Sequence, residues 1–432
     1  MKTVEIKEIE KYLGEEVKLR GWIRNYRKGS SKLRFIEFRD GTGEIQAVAF
    51  KPEMGEENFE ETKKITIESS AELIGVPNKH PKRENEFEFQ LKKLNIINLA
   101  AEYPISKKEH GPDFLLSNRH LWIRSRKQNA ILKIRHTVYF AISDYLNKNG
   151  FYRFDSPILT PNACEGTTTL FQVPYFDEGF AYLSQSGQLY LETGIMSLGK
   201  VYDFGPVFRA EKSKTRKHLT EFWMMDAEAA FVEHEENMKI QEELIRYVIR
   251  TVLEKNAKEL AILERDVKQL KKADAPFKII THREAIDLLK NKGVDINYHD
   301  DFGAAEEEMI TADSDVPVFV EKWPKEIKAF YMKRDKNNPD LVLGADLIAP
   351  EGFGEIIGGS QREDDYEILK SRMEAEKMDL KEYEWYLDLR KYGSVPHSGF
   401  GVGLERLVQW MSGIRHIREV IPFPRMIHRI YP

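Results

Sequence analysis

VYDFGPVFRAEKSKTRKHLTEFWMMDAEAAF, residues 201–231, holds two apolar strand-like runs, 201–208 and 222–231, joined by the charged loop Lys212-Ser213-Lys214-Thr215-Arg216-Lys217. Such runs on either side of a polar loop read as paired strands. A third run, 182–191, precedes them, and no helical pattern separates the three. Parallel neighbours need a crossover of a dozen or more residues, usually a helix, so an antiparallel sheet is expected and a doubly wound one is not. The loop also gathers Arg209, His218 and the lysines around one mouth, which suits a phosphate; a surface hairpin with solvated charges is the plainer alternative.

Outward from this hairpin, Ile131, Ile134, Val138, Ala141, Ile142 and Tyr145 recur every three or four residues until Asn149-Gly150, which predicts a helix. Downstream, 235–272 reads as helix, and a mixed insertion follows, bounded at about 256–340. Strands are expected at 341–347 and 355–357, then a helix at 364–378 and a closing stretch at 399–411. Residues 16–99 differ: short alternating runs such as Val17-Lys18-Leu19 and Ile45-Gln46-Ala47-Val48 are separated by Lys28-Gly29-Ser30-Ser31 and Asp40-Gly41-Thr42-Gly43. That pattern is a strand meander, and a small barrel is its natural closure. Pro104, Gly111 and Pro112 mark a linker. The expected division is 1–100, a linker at 101–117, and 118–432.

Composition bounds the class. The chain has 66 Lys+Arg against 71 Asp+Glu, a formal net charge of −5, which excludes a histone-like binder without locating the charges. With 41% hydrophobic residues in 432, two sizeable cores can form. A lone Cys164 forms neither an internal disulfide nor a cysteine zinc site. The charged start MKTVEIKEIE does not read as a signal peptide, and no apolar run approaches the roughly 20 residues that span a bilayer, so a cytoplasmic protein is expected.

Three further clusters carry chemistry. Arg20, Arg24, Arg27, Lys28, Lys32, Arg34 and Arg39 are opposed within their own stretch only by Glu37, and Tyr26, Phe35 and Phe38 lie among them. Cations that follow phosphates beside rings that stack on bases suit single-stranded nucleic acid; a solvated strand face with its rings in the core is the alternative. Asp346 and Glu355, on adjacent strand ends, can hold a hard cation such as Mg²⁺ together with substrate phosphates. Gly399-Phe400-Gly401-Val402-Gly403 lacks the third glycine of a dinucleotide fingerprint at its offset and follows no first strand, so that reading is rejected.

Arg209-x-Glu211 with His218 and Glu221-Phe222, then Gly401-x-Gly403-x-Glu405-Arg406, resemble motifs 2 (about 201–231) and 3 (about 399–411) of class II aminoacyl-tRNA synthetases. Phe154-x-x-Pro157 is similar to motif 1 (about 126–161), whose proline lies at the family's dimer interface. Gly21-Trp22 and Arg39-Asp40-Gly41 resemble the OB-fold anticodon domain of the aspartyl, asparaginyl and lysyl subgroup. The resemblance implies an α+β protein: an N-terminal OB-fold β-barrel followed by an antiparallel sheet flanked by helices, acting as a homodimer. It implies that Arg209 and Arg406 are catalytic and bind ATP with Glu211, His218, Phe222, Glu355 and Gly403, with Glu355 and Asp346 on Mg²⁺. A serine often found three residues after the glutamate is Gly358 here. Phe35, Gln46 and Glu86 fall at anticodon-contacting positions.

Glu165, Ser186, Gln188, Leu191, Asp226 and Arg362 match amino-acid-binding positions. Leu191 stands where aspartyl members carry a lysine that neutralises the substrate β-carboxylate, and the following Glu192 would repel a carboxylate and accept from an amide. With Gly358-Gly359-Ser360-Gln361-Arg362-Glu363 and Gly393-Ser394-Val395-Pro396-His397-Ser398-Gly399, this resembles the asparaginyl branch. The substrates implied are asparagine, ATP and tRNA(Asn). An aspartyl enzyme of relaxed tRNA specificity, an asparagine synthetase-like adenylating paralog and a non-catalytic RNA-binding derivative are the alternatives.

Overall fold

The computed structural model describes residues 1–84, 86–106, 108–161, 170–212 and 215–432. Two compact units divide it, Met1–Leu115 and Leu116–Pro432. In the first, strands Val17–Ser30, Leu33–Arg39 and Glu44–Phe50 pair antiparallel in sequence order. Phe87–Asn98 adds in parallel to Glu44–Phe50, and Ser70–Lys79 pairs with both Phe87–Asn98 and Val17–Ser30, which closes a five-stranded barrel. Alternation decides its inside: Leu19, Ile23, Ile36, Phe38, Leu73 and Phe89 are fully enclosed. Phe35 points outward, half-buried, whereas Phe38 faces the core.

The second unit is built on a nine-stranded sheet. Its central run is Val318–Pro324, Leu341–Ala349, Gly354–Gln361, His397–Gly403 and Glu221–Ala230, each antiparallel to the next. Lys200–Tyr202 and Gly205–Phe208 both pair antiparallel with Glu221–Ala230. Among the described residues of this sheet only the two edges are parallel, Lys278–Thr281 on Val318–Pro324 and Tyr152–Arg153 on Lys200–Tyr202.

Helices Arg126–Lys148, His234–Lys255 and Leu404–Ser412 cover one face of this sheet. Ile131, Ile134 and Val138 meet Leu244 and Val248 there, over Met225, Ala227, Phe400 and Val402. Ser125 Oγ accepts from Gln128 N at 3.3 Å and begins the first helix; Gly150, at φ 81°, turns the chain away after it. Residues 224, 226 and 228 alternate with that buried set, so they project from the opposite face.

Three expectations change. Residues 182–191 are not one strand: the strand is Phe180–Leu183, and Gln188–Leu198 is a helix. Leu191 and Ile195, four residues apart, bury together against Val201 and Ala230, a helical period hidden in a short apolar run. The single helix expected over 235–272 is three, His234–Lys255, Ala257–Ile262 and Val267–Lys272. Chain direction changes at Asn256, and Asp266 caps the third by accepting from Lys268 N and Gln269 N. The stretch 256–340 does not stand apart, since Lys278–Thr281 and Val318–Pro324 extend the main sheet.

Burial predicts a sharp contrast on helix Tyr366–Ala375, where Leu369 is fully enclosed and Ile368 is 39% exposed. Leu369→Ala should lower unfolding free energy by about 2–5 kcal/mol, and Ile368→Ala by less than about 1 kcal/mol. Urea unfolding followed by circular dichroism reads both.

Candidate active site

The cavity floor is where side chains are missing. In the register of the central strands Glu228 lies opposite Gly399, Asp226 opposite Gly401, and Gly401 opposite Gly358. A Cβ at Gly399 would sit 2.0 Å from Glu228 Oε1, and one at Gly401 2.5 Å from Asp226 Oδ1. Both carboxylates therefore occupy the volume of an absent side chain; Asp226 lines a cavity of about 1150 Å³, and the enclosed Glu228 meets it through Arg362, which lines it too. Ligand pockets typically run to about 300–1,000 Å³, so a nucleotide and an amino acid fit together.

The expected nucleotide residues share one end. Arg209, Glu211, His218, Phe222, Gly403 and Arg406 line it, and Asp346 and Glu355 face it. Leu404–Ser412 sets the last arginine through its neighbour: buried Glu405 accepts from Trp223 N at 3.0 Å and lies 2.7 Å from Arg135 Nη1. One carboxylate thus joins that helix, Glu221–Ala230 and Arg126–Lys148. His218, hydrogen-bonded to Thr215, is held below the usual imidazole range by burial and then by Arg406 and Arg209, so it is neutral near pH 7. Burial, with Asp346 and Glu307 adding, pushes Glu355 up to about 8. Burial raises Asp346 too, against Lys328 Nζ at 2.6 Å. A Cβ at Gly358 would stand 3.1 Å from Glu355 Oε1 and 3.7 Å from Asp346 Oδ1, so both carboxyls border one space.

The other end collects Ser186, Gln188, Asp226 and Arg362. Asp226 Oδ2 accepts from Ser186 Oγ at 2.8 Å and Gly187 N at 2.9 Å. Behind it, Asp203 is pushed up to about 8 by burial and then by the Asp226 carboxylate. Arg362 donates to Glu228 through Nη2 at 2.5 Å and Nε at 3.1 Å, and to Ser360 Oγ at 2.7 Å. Burial raises Glu228 from the usual carboxylate range, Arg362 in direct contact opposes this and leaves it ionised in the pair, and Glu192 and Asp226 add to the rise.

Leu191, expected here, does not reach the cavity, because helix Gln188–Leu198 turns it into the cluster with Ile195, Val201 and Ala230. Glu192 does not open to the cavity either. It is fully enclosed, accepting from Tyr386 Oη at 2.8 Å, Arg390 Nη2 at 2.6 Å and Gln188 Nε2 at 3.1 Å, with His397 Nε2 at 3.1 Å. His397 Nδ1 also faces an acceptor, Val395 O at 2.8 Å. Glu165, like Cys164, lies outside the described residues. Sequence reasoning missed Glu228, Tyr386 and Arg390. The signal for Glu228 was alternation: Asp226-x-Glu228 on one strand faces Gly399-x-Gly401 on the next.

On the barrel, the Arg27 guanidinium stands 4.3 Å over the Phe35 ring and its Nη2 donates to Gln46 Oε1 at 3.4 Å. Glu86 pairs with Arg83 at 2.8 Å. The basic stretch is less positive than its own segment implied. Arg20 meets Glu72 at 3.0 Å, Arg24 meets Glu44 at 2.6 Å and Arg39 meets Glu68 at 2.6 Å, all carboxylates outside that stretch.

A family model described as "tRNA synthetases class II (D, K and N)" matches residues 111–427, and one described as "OB-fold nucleic acid binding domain" matches 17–97. The chain belongs to the class II tRNA synthetases of the D, K and N group. Its similarity runs to proteins named asparagine–tRNA ligase, 53% identical in Pelotomaculum thermopropionicum and 52% in Symbiobacterium thermophilum, each match covering 100% of both chains. The asparaginyl-tRNA synthetase of Pyrococcus horikoshii, solved with asparaginyl-adenylate, superposes with a TM-score of 0.95 at 47% identity over 99% of each chain.

The raised Asp203 carboxyl has a measurable consequence. Between its ordinary value of 3.8 and about 8 the folded chain holds a proton that the unfolded chain has released, so stability falls as pH rises through that window. The slope contributed is at most about 1.4 kcal/mol per pH unit. Asp203→Asn should reduce it by up to that amount, read as urea midpoints between pH 5 and pH 8.

Proposed function

We infer that this chain joins asparagine to tRNA(Asn) in two steps. An asparagine carboxylate oxygen attacks the α-phosphate of ATP, giving asparaginyl-adenylate and releasing pyrophosphate. The terminal ribose 3′-hydroxyl of the tRNA then attacks the acyl carbon and AMP leaves. No side chain forms a covalent bond; Arg209 and Arg406 stabilise the charge that develops at phosphorus and align the reactants. Phe222 stacks on the adenine, Glu211 accepts from its amino group, and neutral His218 donates to the outer phosphates.

The observation that carries the choice of amino acid is the Arg362–Glu228 pair. A guanidinium donates to the carboxamide oxygen, and a carboxylate accepts from its NH₂. Aspartate would bring a second carboxylate against Glu228, and with Leu191 turned away no lysine stands there to neutralise it. Asp226 accepts from the α-ammonium.

Glu355 and Asp346 fit Mg²⁺: two hard oxygen donors border one space, and Glu355 is pushed up to about 8, a carboxyl that a cation would ionise. Bound there with ATP, Mg²⁺ supplies charge neutralisation at the phosphates. Gly358 offers no hydroxyl ligand.

Phe35 stacks on an anticodon base, Gln46 reads its edge and Glu86 contacts a neighbouring base. The working form is a cytoplasmic homodimer, supported by the exposed rings of Phe140 on helix Arg126–Lys148, Tyr152 on the edge strand and Phe231 at the end of Glu221–Ala230, which are 56%, 59% and 74% accessible. No helix among the described residues is long and apolar enough to cross a membrane.

ATP–pyrophosphate exchange tests the reading. Asparagine should drive exchange and aspartate should not; the reverse overturns the assignment. Arg209→Ala should abolish exchange. Phe35→Ala should leave exchange intact while weakening tRNA charging by about 1–3 kcal/mol, the worth of one stacked base.

A further inference from the structure

Gln188 begins a helix whose next turn carries Glu192, so the two side chains share one face four residues apart. Gln188 is part of the cavity wall, and Glu192 is sealed behind it. An amide can present either end to a neighbour, but an ionised carboxylate only accepts. Every donor around Glu192 is fixed by its own element. Tyr386 Oη lies 2.8 Å from both carboxylate oxygens, and Arg390 Nη2 lies 2.6 Å from Oε2 while its Nε donates to Glu363 O at 2.9 Å. His397 is held between Glu192 and Val395 O. Arg390 first, then His397, keep Glu192 ionised against burial. Gln188 Nε2 therefore points to Glu192 Oε1 at 3.1 Å, and the backbone N of Gln188 is tied to Ser186 Oγ at 3.1 Å.

We propose that Glu192 is a positioning residue: it locks the Gln188 amide with its carbonyl oxygen toward the cavity, where that oxygen and Asp226 accept from the α-ammonium of the amino-acid substrate. This rests on the adenylation reading above and assigns the buried Glu192–Tyr386–Arg390–His397 cluster to the substrate's common end. The cluster does not choose between amide and carboxylate; Glu228 and Arg362 do that at the other end.

The test uses the full-length chain and succinamic acid, which is asparagine without its α-amino group. Dissociation constants for asparagine and succinamic acid are measured by calorimetry with wild type, Glu192→Gln and Gln188→Met. In Glu192→Gln the neutral partner no longer dictates the amide's direction. The preference for asparagine over succinamic acid should fall tenfold or more, with succinamic acid and ATP binding changed less than threefold. Gln188→Met should lose the same preference, and adding Glu192→Gln to it should bring no further loss.

A preference that survives in Glu192→Gln, whether or not both ligands weaken in parallel, overturns the proposal, as does full additivity in the double variant. Should Glu192→Gln not fold, Glu192→Asp keeps the charge beside Arg390 and His397 while drawing back from Gln188, and carries the same expectation. If wild type binds aspartate in place of asparagine, the side-chain reading fails. The preference is then measured with aspartate and succinate, and the positioning role is judged separately.

Discussion

The site depends on a steric constraint: on one face of His397–Gly403 the three positions 399, 401 and 403 are all glycine, with no side chain beyond Cα. Glu228 and Asp226 lie in the space this leaves, each within 2.5 Å of where a Cβ would stand. Carboxylates enclosed so closely are costly unless each is answered by a partner or a proton. Arg362 answers Glu228; Ser186 and the Gly187 amide answer Asp226; and Asp203 behind it carries a proton near neutral pH. The neighbouring strands are thus specified by what the central one lacks.

From that floor the cavity separates charge by function. At the end lined by Ser186, Gln188, Asp226 and Arg362, one acid stands against one guanidinium that is already paired with Glu228. At the end lined by Glu355 and Asp346, Arg209, Arg406 and Lys217 converge while His218 stays neutral. Lys217 is itself held 3.3 Å from Glu307, which ties the motif 2 loop to helix Ala304–Thr311 in the stretch first read as an insertion. The overall charge of −5 records none of this arrangement.

Legibility followed the range of the signal. The hairpin of 201–231, the helix ending at Asn149-Gly150 and the barrel strands were readable because local period and turn chemistry agree with the tertiary outcome there. Residues 182–191 were misread because Leu191 and Ile195 find partners on distant strands, and a short apolar run does not reveal its period. Leu191 was placed in the site by its match to the aspartyl members' lysine, and the helix turns that position away from the cavity. The barrel's basic stretch looked unopposed because Glu44, Glu68 and Glu72 come from outside it. Glu228 was overlooked because it is one of many acids in the chain; only the strand register sets it against Gly399 and Arg362.

Glu405 touches the peptide N–H of Trp223 and the guanidinium of Arg135, and the next residue is Arg406. Arg135 is no part of the cavity wall, yet it shares a carboxylate with the segment that carries Arg406 into that wall. A lone substitution at either 135 or 405 strands a buried charge. Changing one of these two positions without the other should therefore cost more than changing both. Random mutagenesis scored by aminoacylation should return Arg135 among the active-site alleles, as a heritable dependence between a helix on one side of the sheet and chemistry on the other.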